Sequence, residues 1–212
     1  MIHVERVGPR TVRAAARVLA AAFADDPAVA RLVPPGARRR QARLVAVFTG
    51  DVRSVGRAGV DVARRGPGGE VVGAAVWRTP AGGEPALRHP LVALRAAWAL
   101  RPAGLRAARR YDSAVAEHLP AGPCWHLHDI GASPSARGLG VGRALLEHRL
   151  AEVDATGQQA FLEATTPASR RLYERHGFVA VGEITDPVGA GAVPMRRPPR
   201  RPPLRPPHRR GG

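Results

Sequence analysis

Arg137-Gly138-Leu139-Gly140-Val141-Gly142, followed at once by the apolar-periodic stretch Arg143 to Val153, reads as a turn that opens a helix. Glycines carry no Cβ, so the backbone N–H groups of such a turn can approach an anion closely, and the helix N-terminus adds partial positive charge. Arg137 adds a formal one. Upstream, Trp125-His126-Leu127-His128-Asp129-Ile130 has strand character, and Pro134 keeps Ser133 out of helical geometry. Strand, turn and helix in that order suit a pyrophosphate. In a chain with 24 glycines a glycine cluster also fits an ordinary strand-to-helix connection, so the flanking sequence has to decide.

Working outward, Ala160-Phe161-Leu162-Glu163-Ala164 reads as another strand. Thr166-Pro167 then supplies a helix N-cap and first residue, Ser169 to His176 a short helix, and Gly177 its stop. Phe178 to Val181 returns to extended structure. Together, Arg137-x-x-Gly140-x-Gly142 and Leu172-Tyr173-Glu174-Arg175-His176-Gly177-Phe178 resemble, in order and spacing, the two motifs of the GNAT N-acetyltransferase family. Ala20 to Pro27, Ala75 to Pro80, Ala160 to Glu163 and Tyr173 to Phe178 resemble the matching stretches of its puromycin N-acetyltransferase-like members, so the likeness covers most of the chain. One departure is Thr166, where many members of the family have asparagine.

The resemblance implies an α/β (α+β) GNAT fold: a mixed, mostly antiparallel central sheet flanked by helices and splayed at the acetyl-CoA strand. It implies acetyl-CoA as co-substrate, with no metal, and direct transfer of the acetyl group to an amine. The pantetheine arm would run along Ile130, Gly131 and Ala132, and the pyrophosphate would lie on Arg137, Gly138, Leu139, Gly140, Val141, Gly142 and Arg143. A backbone N–H of that strand would polarise the thioester carbonyl. Tyr173 matches the tyrosine that protonates the departing CoA sulfur.

The base is open among Glu163, Asp129 and His128, each of which could equally serve as a structural hydrogen-bonding group. Strand alternation puts His128 and Asp129 on opposite faces, so one at most is expected to face the acceptor. His126 shares the face of His128, but two histidines at i, i+2 without further clustered ligands carry no metal site. Asp25 and Asp26 could contact a cationic acceptor or simply stop the first helix before Pro27. The acceptor is expected to be a small-molecule amine, an antibiotic of the puromycin kind among them; a protein or peptide amine, or a CoA-binding module without catalysis, are the alternatives. A deep pocket lined by the 87–119 helices would favour the small molecule, and a shallow groove the peptide.

The 212 residues, 44% apolar, suffice for one substantial core. Cys124 is the single cysteine, which excludes an intrachain disulfide and suits a reducing compartment. No apolar run is long enough to span a membrane, and Met1 to Arg6 lacks the pattern of a signal peptide, so a soluble cytoplasmic protein with no membrane partner is expected. The net charge of +16 is carried by 33 arginines and no lysine; seven of these lie from Arg196 onward, and without them the body is at +9. With 4% aromatics there is no interleaving of rings and charges for stacking bases, so nucleic acid is not expected as a partner. A homodimer is compatible with the sequence, which does not fix the oligomeric state.

The domain is expected over 1–195, with an extended arginine- and proline-rich tail over 196–212. Helices are expected over Thr11 to Ala24 and Arg39 to Val55, and a hairpin joins Gly59 to Ala63 with Glu70 to Trp77. Leu87, Leu91, Leu94 and Trp98 mark a further helix to Arg101, and Leu105 to Leu119 another after Pro102.

Overall fold

The computed structural model describes residues 1–80, 90–184 and 191–200, with side chains from residue 94 onward in the helix that begins at Pro90. Its frame is one seven-stranded sheet of β1 (Ile2–Arg6), β2 (Val60–Arg65), β3 (Val71–Arg78), β4 (Cys124–Ala132), β5 (Gln159–Ala164), β6 (Val179–Ala180) and β7 (Val193–Arg197). The order is β1-β2-β3-β4-β5-β7-β6. Neighbours are antiparallel except β4 and β5, which run parallel and are joined by α5 (Val141–Thr156). A parallel pair needs such a crossover because the chain must return to the same end of the sheet.

Both faces of the sheet are covered, and the central strand β3 therefore reads as a continuous apolar run from Val71 to Trp77 rather than as an alternating one. On one face α1 (Val12–Ala22), α2 (Pro27–Leu32) and α3 (Arg40–Ser54) pack Leu19, Leu44 and Phe48 against Val60, Val62 and Val76. On the other, α5 packs Leu145, Leu146 and Leu150 against Ala63, Ala75 and Trp77, and α6 (Pro167–Arg175) adds Tyr173. Burial at this scale stabilises by about 1.5–3 kcal/mol for each large side chain. Arg149 on α5 is wholly buried against Asp61 of β2, Nε to Oδ2 2.8 Å, and its guanidinium lies 5.2 Å from the Trp125 ring.

Local chemistry sets the element ends. Asp26 caps α2, its Oδ1 accepting from the N–H of Ala28 (2.8 Å) and Val29 (3.1 Å), with Pro27 as first helical residue. Thr166 and Ser169 form a reciprocal capping box on α6, ahead of which Thr166 Oγ1 accepts from Ser169 N at 3.1 Å. Thr166 thus serves as the N-cap of α6. The long helix α4 (Pro90–Ala116) breaks at Arg101, which sits at φ 57° immediately before Pro102. A residue preceding proline is crowded out of the helical region, so the expected pair of helices is present, meeting at the break at Arg101.

The structure adds to or departs from the sequence reading at three places. Ile2–Arg6, unassigned from the sequence, is the edge strand β1, with Val4 against the core. Leu94 and Trp98, whose spacing marks the expected helix, are 67% and 48% exposed; the start of that helix at Leu87 and the side chain of Leu91 lie outside the described residues. Arg196 and Arg197, read as tail, belong to β7, and Arg197 is buried with a two-point ion pair to Asp154 (2.5 and 2.8 Å). The remainder of the expected tail, 201–212, also lies outside the described residues. Among the described residues no helix is long and apolar enough to cross a membrane.

Candidate active site

The parallel pairing of β4 with β5 stops early. It joins Cys124–Leu127 to Gln159–Leu162, although β4 continues to Ala132 and β5 to Ala164. On its other edge β4 stays bonded to β3 as far as Ala132. From His128 onward the two strands diverge, which is the splay expected at this strand. The edge of Ile130, Gly131 and Ala132 that faces the gap has no strand beside it among the described residues, so its backbone groups can receive an extended ligand as an added strand would.

At the end of β4 the glycine turn leads into α5. Gly138 and Gly140 have φ of 78° and 75°, and Gly140 is the helix N-cap. A Cβ built on either meets nothing within 4 Å, so the left-handed backbone, rather than crowding, is what requires glycine there. Gly142 has ordinary φ, and its Cβ would touch only Leu172 Cδ2 at 3.4 Å. The N–H groups of the first turn of α5 have no carbonyl one turn back and point into a hollow lined by Ala132, Arg137, Gly138, Gly140, Val141, Gly142, Arg143 and the end of α6 at Arg175 and His176. Unpaired donors, a helix N-terminus and three arginines fit a pyrophosphate. Leu139 is 52% exposed and does not line the hollow.

On the other side of the gap is a cavity of about 450 Å³ whose walls come from α1, α2, α3, α4, β3, β4, β5 and α6. Of the expected site residues it gathers Asp26, His128, Asp129, Ile130, Gly131, Ala132, Arg137, Glu163 and Tyr173. Two expectations are corrected. His128 and Asp129 both line the cavity, because the β3–β4 register passes from Val76↔Asp129 to Trp77↔Leu127 and leaves His128 as an unpaired bulge residue. A bulge bends the strand and re-aims its side chains. Asp25 does not line the cavity: it is exposed, while the following residue, Asp26, turns its carboxylate inward to cap α2 and accept from Thr165 Oγ1 at 3.0 Å.

The sequence reading missed Asp51 of α3, Arg78 of β3, and Tyr111 and Asp112 of α4, all on the cavity wall. A signal for Asp51 existed. It falls three and four residues after Phe48 and Val47, on the apolar stripe of α3, where a charge costs free energy unless the stripe borders a polar space.

The cavity's charges are costly to hold. Burial pushes the Asp51 carboxyl up to about 7, with Asp112 adding to the rise and Arg78 opposing it. Burial, then Asp51, Glu163 and Asp26, drive Asp129 well above the ordinary carboxylate range; burial also raises Asp112. Burial, Arg78 and His126 hold His128 well below the usual histidine value. The Tyr173 phenol is raised by burial, then by Glu163, Asp129 and Asp26, and so stays protonated. Glu163 is anchored by His126, Nε2 to Oε1 2.9 Å. His128 Nε2 lies 3.9 Å from Asp51 Oδ1, and the carboxylate and ring atoms of Asp51, His128 and Asp129 lie within 4.8 Å of one another.

A family model described as the acetyltransferase (GNAT) family matches residues 60–178. Among solved structures, the chain is 31% identical, over 96% of its length and 99% of the other's, to a Corynebacterium glutamicum protein described as histone acetyltransferase HPA2 and related acetyltransferase, with a TM-score of 0.72. It also resembles arylalkylamine N-acetyltransferase 2 of Aedes aegypti (14% identity, 92% and 98% coverage, TM-score 0.64). A third similar fold is the Drosophila melanogaster polyamine N-acetyltransferase, described as forming N-acetylagmatine (18% identity, 92% and 99% coverage, TM-score 0.61).

Proposed function

The chain belongs to the acetyltransferase (GNAT) family, and from that premise we propose that it moves the acetyl group of acetyl-CoA to the amine of a small molecule held in the carboxylate-lined cavity. That it is an acetyl-CoA-dependent N-acetyltransferase follows from the family. The observation that supports the narrower reading is the cavity itself: walled in part by Leu100, Ala107, Ala108, Tyr111 and Asp112 of α4, its volume of about 450 Å³ suits a small-molecule ligand.

Acetyl-CoA, when bound, supplies the acetyl thioester. The chain's part is to hold it, to present an unprotonated amine and to protonate the sulfur as it leaves. The turn from Arg137 to Arg143 and the open edge of Ile130, Gly131 and Ala132 are suited to the first task. Glu163 is suited to the second. Its carboxylate is fixed by His126, and of the cavity's charges it acts most strongly on the Tyr173 hydroxyl, so a nucleophile between them can lose its proton to Glu163. His128 is the poorer acceptor, since its surroundings disfavour the protonated ring. Tyr173, held protonated, gives its hydroxyl proton to the sulfur.

Measuring CoA release with a panel of small amines, puromycin included, beside peptides with free N-termini tests the reading. The best small amine is expected to exceed every peptide in kcat/KM by at least about tenfold, roughly the discrimination of one well-placed polar contact. A peptide turned over faster than all the small amines would overturn it.

A further inference from the structure

The cavity holds more carboxylates than acetyl transfer to a simple amine requires. Glu163 serves the reacting nitrogen and Asp26 caps α2, which leaves Asp51 of α3, Asp112 of α4 and Asp129 of β4 on the wall without such a task. Asp129 Oδ2 is fully enclosed and accepts no hydrogen bond among the described residues. A buried, unpartnered carboxylate oxygen calls for a donor. The polar atoms of Asp51 and Asp129 stand within 4.8 Å of each other, with His128 as the near group. Taken whole, the cavity has five carboxyl groups (Asp26, Asp51, Asp112, Asp129, Glu163) against three guanidinium groups (Arg31, Arg78, Arg137), a formal excess of two acids in a chain whose net charge is +16. Apolar surface runs between the acids: Phe23 and Phe48 stack at 5.4 Å beside Val29 and Val47.

We propose that Asp51, Asp112 and Asp129 form a second cation subsite, and that the acceptor is a diamine whose far ammonium sits there while its near amine reacts between Glu163 and Tyr173. The proposal rests on the small-molecule reading above and narrows it to a substrate class. A dication balances that formal excess, its ammonium N–H groups supply the donors that Asp129 lacks, and its methylenes lie on the Phe23–Phe48 surface. The raised carboxyl groups of Asp51, Asp112 and Asp129 show the cost of leaving that wall without a cation. Three acids on three separate elements, around a space large enough for an organic chain, fit an ammonium with its tetrahedral donors.

The test compares diaminobutane and diaminopentane with butylamine and pentylamine, by CoA release and, separately, by direct binding to the full-length protein. Expected are a kcat/KM for each diamine at least about tenfold above that of its monoamine, a matching difference in Kd, and a fall of that ratio to within about threefold in Asp51→Asn and in Asp129→Asn, the change being in KM more than in kcat. Equal kcat/KM for diamine and monoamine overturns the subsite while leaving small-amine acetylation standing. Tight diamine binding that Asp51→Asn weakens, with no turnover of either amine, supports the subsite and overturns the acetylation of small amines. Saturable binding of zinc that excludes the diamine would assign Asp51, His128 and Asp129 to a metal and overturn the proposal.

Discussion

The Tyr173 hydroxyl is surrounded by groups that oppose its ionisation, and the consequence can be measured by removing one atom. Tyr173→Phe keeps the ring against Phe178, at 6.0 Å between centroids, so the fold should persist. Loss of a general acid typically costs on the order of 10²–10⁴ in rate. A fall in kcat of about 10² is expected, with acetyl-CoA Kd unchanged within about twofold, because a thiolate is a tolerable leaving group and water can substitute in part; near-parental turnover in a folded variant would reduce Tyr173 to a packing residue. Asp51 makes a prediction of the opposite kind. Its folded value of about 7 lies above the ordinary 3.8, so folding takes up a proton between those values and the ionised group destabilises the fold as pH rises through that window. Asp51→Asn should therefore stabilise the protein at pH 8 by about 1–2 kcal/mol, allowing for Arg78 and partial exposure, and the gain should shrink toward pH 4. Denaturant melts at the two pH values check it; a gain independent of pH would show that Asp51 is not held above its ordinary value. Tyr173 was legible because it sits in a contiguous motif. Asp51 was missed although it interrupts the apolar stripe of α3, because such a charge becomes meaningful only once the facing wall is known.

Elements carry their instructions locally. The turn from Arg137 to Gly142 and the Thr166 N-cap depend on bonds spanning a few residues, and both were legible. The bulge at His128 was not, since it is a mismatch between β4 and β3, strands some fifty residues apart in sequence, and neither shows it alone. Gly142 offers the cleanest test of the proposed pyrophosphate site at this turn. Gly140 must keep a left-handed φ, so a side chain there strains the backbone whatever binds. Gly142 has no such demand, and Leu172 alone touches its Cβ. Gly142→Leu should leave the fold intact, with helix propensity favouring it by up to about 1 kcal/mol, and should raise the acetyl-CoA Kd by about tenfold or more by filling the hollow. The pairing of a thermal melt with direct CoA binding reads both effects; unchanged Kd in a folded variant would remove the pyrophosphate from this turn.

For the whole molecule, the boundary at the C-terminus matters most. β7 lies between β5 and β6, and its last residue, Arg197, joins Asp154 of α5 and donates from Nε to the His176 carbonyl at 2.9 Å. A chain ending after Arg200 should keep full turnover and stability. One ending after Met195 should lose about 3–5 kcal/mol, the usual cost of stripping one partner from a buried ion pair, visible as a lower urea midpoint; equal midpoints for the two would show that β7 contributes little at its end. The sequence by itself determined most helices and strands, the glycine turn, the cap of α6 and the family, because each is written in residues within a few positions of one another, where hydrogen-bond geometry and apolar periodicity act. The tertiary structure alone decided that Asp26, Asp51, Asp112, Asp129 and Glu163 share one cavity, that Asp25 does not, and that His128 and Asp129 face the same way. Those facts depend on which strands are neighbours, in what register, and on how helices cross them. They are set by the burial of surfaces far apart in the chain, which no local pattern encodes.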